Sequence, residues 1–290
     1  LICVDHLPWS LTRPAGHEVC MTPTLDQLAR SGTAFTNAYS ACPVCIPARR
    51  NLMTGQSIRS HGMRTFDEHR EMPDAPTLAQ CFKDAGYQCH AVGKLHVYPQ
   101  RDRIGFDDVI LNEEGRHHLG MGADDFELHL ADQGFPGQEY ATGLGNNDYH
   151  TRAWALPEDC HPTNWAAREM SRMMHRRDRR KPAFWYLSFI GPHQPVWPLQ
   201  AYLDIYRHSE IDPPVFGSWS EDVEKLPYAL RRLRERFAIA DAPEAEMELA
   251  RRAFYATVTH IDHQIRIVLG YLREQDLLDN TIIGFTSDHG

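Results

Sequence analysis

The sequence lacks the long apolar runs of membrane proteins and the excess positive charge of nucleic-acid-binding proteins. Its apolar runs stay below the roughly 18 consecutive residues that a membrane helix needs, so we expect no membrane partner. Positive charge is scarce, because 30 Lys and Arg residues face 39 Asp and Glu residues and the net charge is −9. A surface of that sign does not attract nucleic acid, so we expect no nucleic-acid partner, and any anion site must be built from local cations.

Cysteine is sparse, and an initiating methionine is missing. The seven cysteines are odd in number and lack the dense spacing of a disulfide scaffold. We therefore expect reduced, buried thiols, which favours a cytoplasmic location. The chain opens on Leu1, directly in an apolar run. We expect its true start to lie upstream, so export stays an open alternative.

The sequence does contain enough apolar material for a large core, since 42% of its 290 residues are hydrophobic. Short apolar runs predict buried strands, and an alternating segment predicts one more. The predicted strands are 1–4, 33–40, 87–92, 183–190 and 281–286. Amphipathic patterns predict helices at 23–30, 48–54, 76–85, 162–180, 221–237 and 244–275.

A candidate nucleophile stands at one predicted helix start. Cys45 is followed by Pro47, which suits the first helical turn because its φ is already helical and it has no N–H to leave unpaired. The thiol therefore lies at the positive end of the helix macrodipole, where anions are favoured. Arg49 follows four residues after Cys45, on the same helical face, so its guanidinium can reach a group held by Cys45. The motif predicts a covalent nucleophile with an anion clamp.

Other polar side chains follow the predicted buried strands. The carboxyl ends of parallel strands meet at one edge of an open α/β sheet, where such folds place their sites. Lys94 and His96 are two residues apart, so on an extended chain they would share a face. The residues at strand ends are Asp5, His6, Lys94, His96, His193, Asp288 and His289.

The motif Cys45-x-Pro47-x-Arg49, with Thr54-Gly55 closing a short helix, resembles the activation motif of the formylglycine-dependent sulfatases. The resemblance continues in order along nearly the whole chain. Its further segments are TPTLDQLARSGTAFTNAYS at 22–40, HGMR at 61–64, GKLH at 93–96, PHQP at 192–195 and SDHG at 287–290.

This resemblance implies the alkaline-phosphatase-like fold, an α/β three-layer sandwich with a mostly parallel central sheet flanked by helices. Residues 1–290 would form one sulfatase-like catalytic domain. In the family, the strand before Ser287 is interior and a smaller subdomain follows, so we expect that the C-terminal part of the fold is absent. Periodicity fades from about 101 to 163, a stretch rich in Gly, Asp and His, which we interpret as substrate-side loops.

The resemblance also implies the chemistry. Cys45 would be oxidised to formylglycine by a formylglycine-generating enzyme, and the substrate would be a small sulfate ester. Arg49, Lys94 and His193 would hold the sulfate, and His96 would assist the leaving alcohol. The identity of that alcohol is not readable from the sequence, and a homo-oligomer stays open.

A divalent metal belongs to the same resemblance. Its ligands would be Asp5, Cys45, Asp288 and His289. The family commonly has a second aspartate where this chain has His6, so either His6 takes that ligand place or the place is lost. Calcium is the family's metal, but a histidine-bearing site is softer than an all-oxygen cage, so manganese and zinc stay open.

Two other functions remain as alternatives. A phosphonate monoester or phosphodiester hydrolase of the same superfamily would use the same groups on phosphorus. Cys42 and Cys45 form Cys-x-x-Cys, which resembles a redox pair or half of a zinc site. Against the redox pair, Pro47 places the helix start after the second cysteine instead of the first. Against zinc, the other cysteines offer no second ligand pair at suitable spacing.

Overall fold

The computed structural model describes residues 1–237 and 241–290. Within them, the central sheet has five strands in the order β3-β2-β4-β1-β5, and each neighbouring pair is parallel. The strands are β1 (Ile2–Asp5), β2 (Gln88–Gly93), β3 (Asp108–Leu111), β4 (Ala183–Pro192) and β5 (Phe285–Ser287). This architecture confirms the predicted α/β fold with a parallel sheet.

Helices connect the strands. The α-helices of the described residues are α1 (Pro23–Ser31), α2 (Cys45–Thr54), α3 (Ile58–His61), α4 (Leu78–Asp84), α5 (Asp125–Asp132), α6 (Pro162–His175), α7 (Gln200–Ile205), α8 (Tyr228–Phe237) and α9 (Glu244–Glu274). Short 3-10 turns lie at Trp9–Leu11, Arg13–Ala15, His117–Leu119, Glu158–Cys160, Ser218–Ser220, Val223–Lys225 and Leu278–Asn280. No helix in this part of the chain is both long and apolar enough to cross a bilayer.

The sheet separates two hydrophobic cores, because successive strand residues point to opposite faces. Leu187 of β4 belongs to the larger core, together with Trp165 of α6 and Ile265 of α9. Its neighbour Tyr186 belongs to the smaller core, which includes Met53 of α2. Helices on both faces of one parallel sheet give the predicted three layers.

The register of β1 determines where the site forms. Val4 pairs with Phe189 on one side and with Ser287 on the other. Asp5 therefore lies beside the end of β4, where it pairs with Pro192, and beside the residue that follows β5. This register brings His193 and Asp288 to the same sheet edge as Asp5.

The predicted strand at 33–40 is wrong. Residues 33–40 contain no strand and are all exposed, including Phe35 at 78% and Tyr39 at 88%. Alternation indicates only that a segment suits a sheet surface, and no described strand lies beside this segment to supply the hydrogen bonds.

The region 101–163 is more regular than the sequence indicated, because it contains β3 and α5. Asp124 accepts a hydrogen bond from the Glu127 N–H, while the Glu127 side chain accepts from the Asp124 N–H, and this capping box starts α5. The sequence also placed three boundaries wrongly: α6 ends at His175, α8 begins at Tyr228 and β5 begins at Phe285.

Candidate active site

Helix α2 places Cys45 at the sheet edge. The helix begins at Cys45 itself, three residues before the predicted start at 48, because Val44 before it is still extended. It ends as predicted, with Gly55 in the left-handed conformation donating its N–H to the Asn51 carbonyl. Cys45 Sγ lies 3.5 Å from Asp5 Oδ1 and 3.2 Å from His289 Nε2. The candidate nucleophile is thus buried among predicted metal ligands.

Arg49 is fully buried and faces into the protein. Its Nε donates to Asp288 Oδ2 at 2.8 Å, and its Nη1 donates to the Lys94 carbonyl at 2.7 Å and to Ser188 Oγ at 2.8 Å. The remaining nitrogen, Nη2, lies 3.5 Å from Asp5 Oδ2. These contacts tie the start of α2 to strand ends, so Arg49 fixes the positions of the carboxylates and leaves only Nη2 for the predicted anion clamp.

Lys94 bridges two buried carboxylates. Its Nζ lies 2.6 Å from Asp5 Oδ2 and 2.8 Å from Glu114 Oε2, and it is 0% exposed. Burial alone would lower the pKa of Lys94, but these two negative charges raise it above its ordinary value. Burial likewise works to raise the pKa of Asp5, yet Lys94 and Arg49 together hold it well below its usual range. Both groups are therefore charged at neutral pH.

His193 follows β4 and faces this cluster. Its Nδ1 lies 2.7 Å from the Gln194 carbonyl and 3.8 Å from Glu114 Oε1. Burial disfavours the charged form, but contact with Cys45 and the nearby carboxylates raises the pKa of His193 to about 9. At neutral pH this imidazole carries a positive charge.

His6 and His96 differ from His193 in charge. Burial, together with the neighbouring His289 and His193, lowers the pKa of His6 to about 4. Burial also holds the pKa of His96 well below its usual value, with Lys94 and Arg116 adding to the effect. Both side chains are neutral under physiological conditions.

The backbone at His96 corrects one prediction. Its φ is 62°, so the chain after β2 is not extended and the alternation that would place His96 on one face with Lys94 does not apply. Its N–H donates to Glu113 Oε1 at 2.9 Å, and its Nδ1 is buried without a hydrogen-bond partner in the described residues. The Glu113 carboxylate thus holds this turn in place.

Four side chains form a donor set that suits a divalent cation. Among the described residues, this set comprises Asp5, Cys45, Asp288 and His289, whose ligand atoms all lie within 4.8 Å of one another. Two ligand atoms on opposite sides of a cation, each bonded at about 2.3–2.6 Å, lie about 5 Å apart. The four ligand atoms are therefore close enough together to bind one ion. Burial raises the pKa of Asp288, although Arg49 opposes the rise.

His6 is the predicted ligand that lies outside this set. Its ring packs at 4.9 Å from the His289 ring, centroid to centroid, and its backbone N–H donates to Asp288 Oδ1 at 3.2 Å. The Nδ1 atom is buried and makes no hydrogen bond within the described chain. The structure therefore brings four of the five predicted metal ligands together and places His6 beside them.

Sequence reasoning missed several residues that hold the site together. Glu113 and Glu114 follow β3 after one intervening residue, so their position near a strand end was a usable signal, but β3 fell inside the stretch interpreted as loops. Tyr186 and Ser188 contact Arg49 from β4, and a run of apolar strand residues gives no signal for such contacts.

Cys42 and Cys45 form neither a disulfide nor a pair of metal ligands in the structure. All seven cysteines are free thiols. Cys42 Sγ contacts the Arg64 carbonyl, and Cys42 is outside the donor set that contains Cys45. The sequence predicted a helix start after the second cysteine, whereas the helix starts at that cysteine, Cys45, itself.

Comparisons with known proteins give the family of this chain. A family model described as Sulfatase matches residues 1–290. An arylsulfatase of Clostridium perfringens is 34% identical over 100% of this chain and 62% of the relative's length. The curated relatives are longer, and the chain spans 54% to 65% of those compared.

Solved structures share the fold. A phosphonate monoester hydrolase from Silicibacter pomeroyi superposes with a TM-score of 0.79 at 22% identity, covering 100% of this chain and 62% of that protein. A protein solved with its substrate D-glucosamine-2-N,6-O-disulfate superposes with a TM-score of 0.70 at 19% identity, covering 99% and 64%.

Proposed function

Because this chain belongs to the sulfatase family, we propose that the protein hydrolyses a small sulfate ester at the site around Cys45. The observation that carries the proposal is the position of the Cys45 thiol. It lies at a helix start, next to Asp5 and His289. The cationic Lys94 lies beside Asp5, and the cationic His193 lies beside Glu114, which Lys94 also contacts. A nucleophile among fixed cations is what transfer of an anionic sulfuryl group requires.

Two groups that the family implies would complete the site. Conversion of Cys45 to formylglycine by a formylglycine-generating enzyme would supply an aldehyde whose hydrate offers one hydroxyl for attack and a second for release of sulfate. A divalent metal held by Asp5, Asp288, His289 and residue 45 would supply Lewis-acid charge beside the nucleophile. Calcium is proposed, with manganese or zinc as the alternatives for a donor set that includes imidazole.

The chain's own residues would then bind and orient the ester. His193 keeps Nε2–H available for a sulfate oxygen, because Nδ1 faces the Gln194 carbonyl. Lys94 places a fixed charge next to Asp5. His96 is neutral, so it would assist the leaving oxygen through a hydrogen bond from the imidazole and would not act as a strong acid. Arg49 would hold Asp288 and the start of α2 in the productive arrangement.

The test begins with protein made alongside a formylglycine-generating enzyme. Mass spectrometry of the Cys45 peptide is expected to show a loss of about 18 Da, the stoichiometry of converting a nucleophilic thiol to an aldehyde. That protein is expected to turn over nitrophenyl sulfate repeatedly. Cys45→Ser and Cys45→Ala, which cannot form the aldehyde, are expected to lose multiple turnover, and near-wild-type turnover by either would contradict the mechanism.

The phosphonate monoester or phosphodiester hydrolase stays a second candidate, since the fold is shared with such an enzyme. Parallel assays with nitrophenyl sulfate and a nitrophenyl phosphonate ester separate the two. A higher kcat/KM for the sulfate supports the first proposal, and the reverse order supports the second.

A further inference from the structure

A cavity beside His193 is lined by side chains that the proposed mechanism does not use. We call it the side cavity. The room it offers to the centres of water-sized molecules is about 20 Å³, within about 440 Å³ of space that includes open solvent. Its polar and aromatic lining includes Glu114, Glu139, Tyr140, His161, His193 and Trp197. His193 lines this cavity and also contacts Cys45, so the cavity lies beside the proposed reaction site.

Glu139 is the unexplained residue of the side cavity. It is 4% exposed, and within residues 1–237 and 241–290 its carboxylate is surrounded by other carboxylates and receives no hydrogen bond. A buried carboxylate without a partner is costly, so proteins keep one mainly where a ligand completes it. Glu114, the other carboxylate of the cavity, is already bound to Lys94.

The charged groups that act on Glu139 are all carboxylates. Gly115 approaches the carboxylate so closely that a Cβ there would collide with Glu139 Oε2. Burial raises the pKa of Glu139 well above its usual value, and the neighbouring charges of Asp124, Glu127 and Glu114 raise it further. A cation beside Glu139 would offset all of these effects.

The remaining walls suit a cation better than an anion. Tyr140 and Trp197 form an aromatic corner, with ring centroids 5.7 Å apart, and aromatic faces attract ammonium groups. Among the described lining residues there is no Lys or Arg, and the cationic His193 lies next to Glu114, at the end of the cavity that faces the Cys45 cluster. Burial lowers the pKa of His161 to about 4, and the hydrogen bonds of that imidazole go to the Trp197 carbonyl and the Thr163 N–H, so it brings no charge.

We propose that the side cavity binds an ammonium group of the substrate, with Glu139 as its counterion and Tyr140 and Trp197 as its aromatic walls. The substrate class is therefore the sulfate ester of an aminated alcohol, either a primary amine or a quaternary ammonium. This inference rests on the proposed function for the sulfate end and adds a recognition element for the alcohol end. The substrate would lie with its sulfate at His193 and its ammonium at Glu139.

The test compares pairs of esters that differ only in charge. The first pair is aminoethyl sulfate and propyl sulfate; the second is choline sulfate and its carbon analogue with a tert-butyl group. Binding is measured by calorimetry on protein made without the maturation enzyme, which holds the ester but does not turn it over. The wild type is expected to bind at least one charged ester about tenfold or more tightly than its neutral partner, as hydrogen bonds to charged groups allow.

Two variants locate the effect. Glu139→Gln keeps the size of the side chain and is expected to bring the ratio of affinities close to one. Glu210→Gln removes the same charge from an exposed side chain and is expected to keep the ratio. Equal affinity for charged and neutral esters in the wild type, or a ratio that survives Glu139→Gln, would overturn the inference. The pair that shows the larger ratio tells a primary amine from a quaternary ammonium.

Kinetics on the matured protein separates this inference from the proposed function. Turnover of nitrophenyl sulfate without preference for either charged ester would support the sulfatase and reject the ammonium site. Charge-selective binding without turnover of any sulfate ester would support the ammonium site and reject the sulfatase. Charge-selective kcat/KM that Glu139→Gln reduces to the neutral level would support both.

Discussion

The strand ends and the side cavity differ in how their buried carboxylates are matched. At the strand ends, Asp5 and Glu114 share Lys94, and Asp288 binds Arg49. In the side cavity, Glu139 faces carboxylates and aromatic rings. Paired buried charges hold each other in place, because removal of one partner leaves the other as an uncompensated charge in a medium of low dielectric constant. An unpaired buried carboxylate lowers stability but stays available to a ligand of opposite charge. We infer that the paired charges at the strand ends hold the site residues in place, whereas the unpaired Glu139 in the side cavity is available to bind a ligand.

The largest effect on stability is expected from breaking the paired region. Lys94→Met keeps the length of the side chain but leaves Asp5 and Glu114 without their shared cation, so we expect a loss of about 3–5 kcal/mol in the free energy of unfolding. Urea unfolding measures it. Lys83→Met is the matched control, because Lys83 makes a similar 2.8 Å ion pair with Asp107 while 44% exposed; exposed pairs contribute little. Equal shifts in the two variants would refute the distinction.

A smaller effect is expected from crowding the unpaired region. Gly115→Ala and Gly120→Ala both put a side chain on a left-handed backbone, at φ 57° and 72°, which costs about 1–2 kcal/mol. Only at Gly115 does the new Cβ meet the Glu139 carboxylate, whereas nothing lies within 4 Å of a Cβ at Gly120. We expect Gly115→Ala to lose roughly 1 kcal/mol more in urea unfolding and to weaken discrimination between charged and neutral esters. Identical behaviour of the two variants would show that Glu139 has space to move.

The smallest expected effect is a change in the pH dependence of the free energy of unfolding. The folded pKa of Glu139 is raised by burial, so the native state holds a proton that the unfolded chain releases at lower pH. Stability is then lost as the pH rises above the usual carboxyl range. Glu139→Gln removes this loss. Its stability relative to the wild type is expected to increase by about 1 kcal/mol between about pH 5 and about pH 8. Urea unfolding measures this difference in stability. If it does not change with pH, a partner already stabilises the charged form of Glu139.

The sequence predicted the parts of the fold that depend on a single segment. An apolar run followed by a polar residue was enough to place Asp5, Lys94 and His193 at strand ends, because parallel strands in one sheet share an edge. The Pro47 and Gly55 signals placed helix α2 to within one turn of its start and at its end. These features follow from local backbone preference and burial.

Features that depend on distant partners were not predictable. The alternation at 33–40 could not say whether a neighbouring strand exists. The direction of Arg49 is set by Ser188 and Asp288, which lie 139 and 239 residues away. Strand β3 is short and half-buried over most of its length, so its hydropathy was too weak to reveal it. Glu114 and the unpaired Glu139 were missed with it.

The pairing of β1 with β5 has a consequence for the timing of biosynthesis. Val4 and Ser287 are bonded neighbours, yet 283 residues separate them. A ribosome that adds about 5–20 residues per second would need roughly 15 s to 1 min to make the intervening chain. Throughout that interval Asp288 and His289 do not yet exist, so Cys45 lacks the contacts that later enclose it. The proposed maturation enzyme would therefore have its widest access to this thiol while the chain is still being translated.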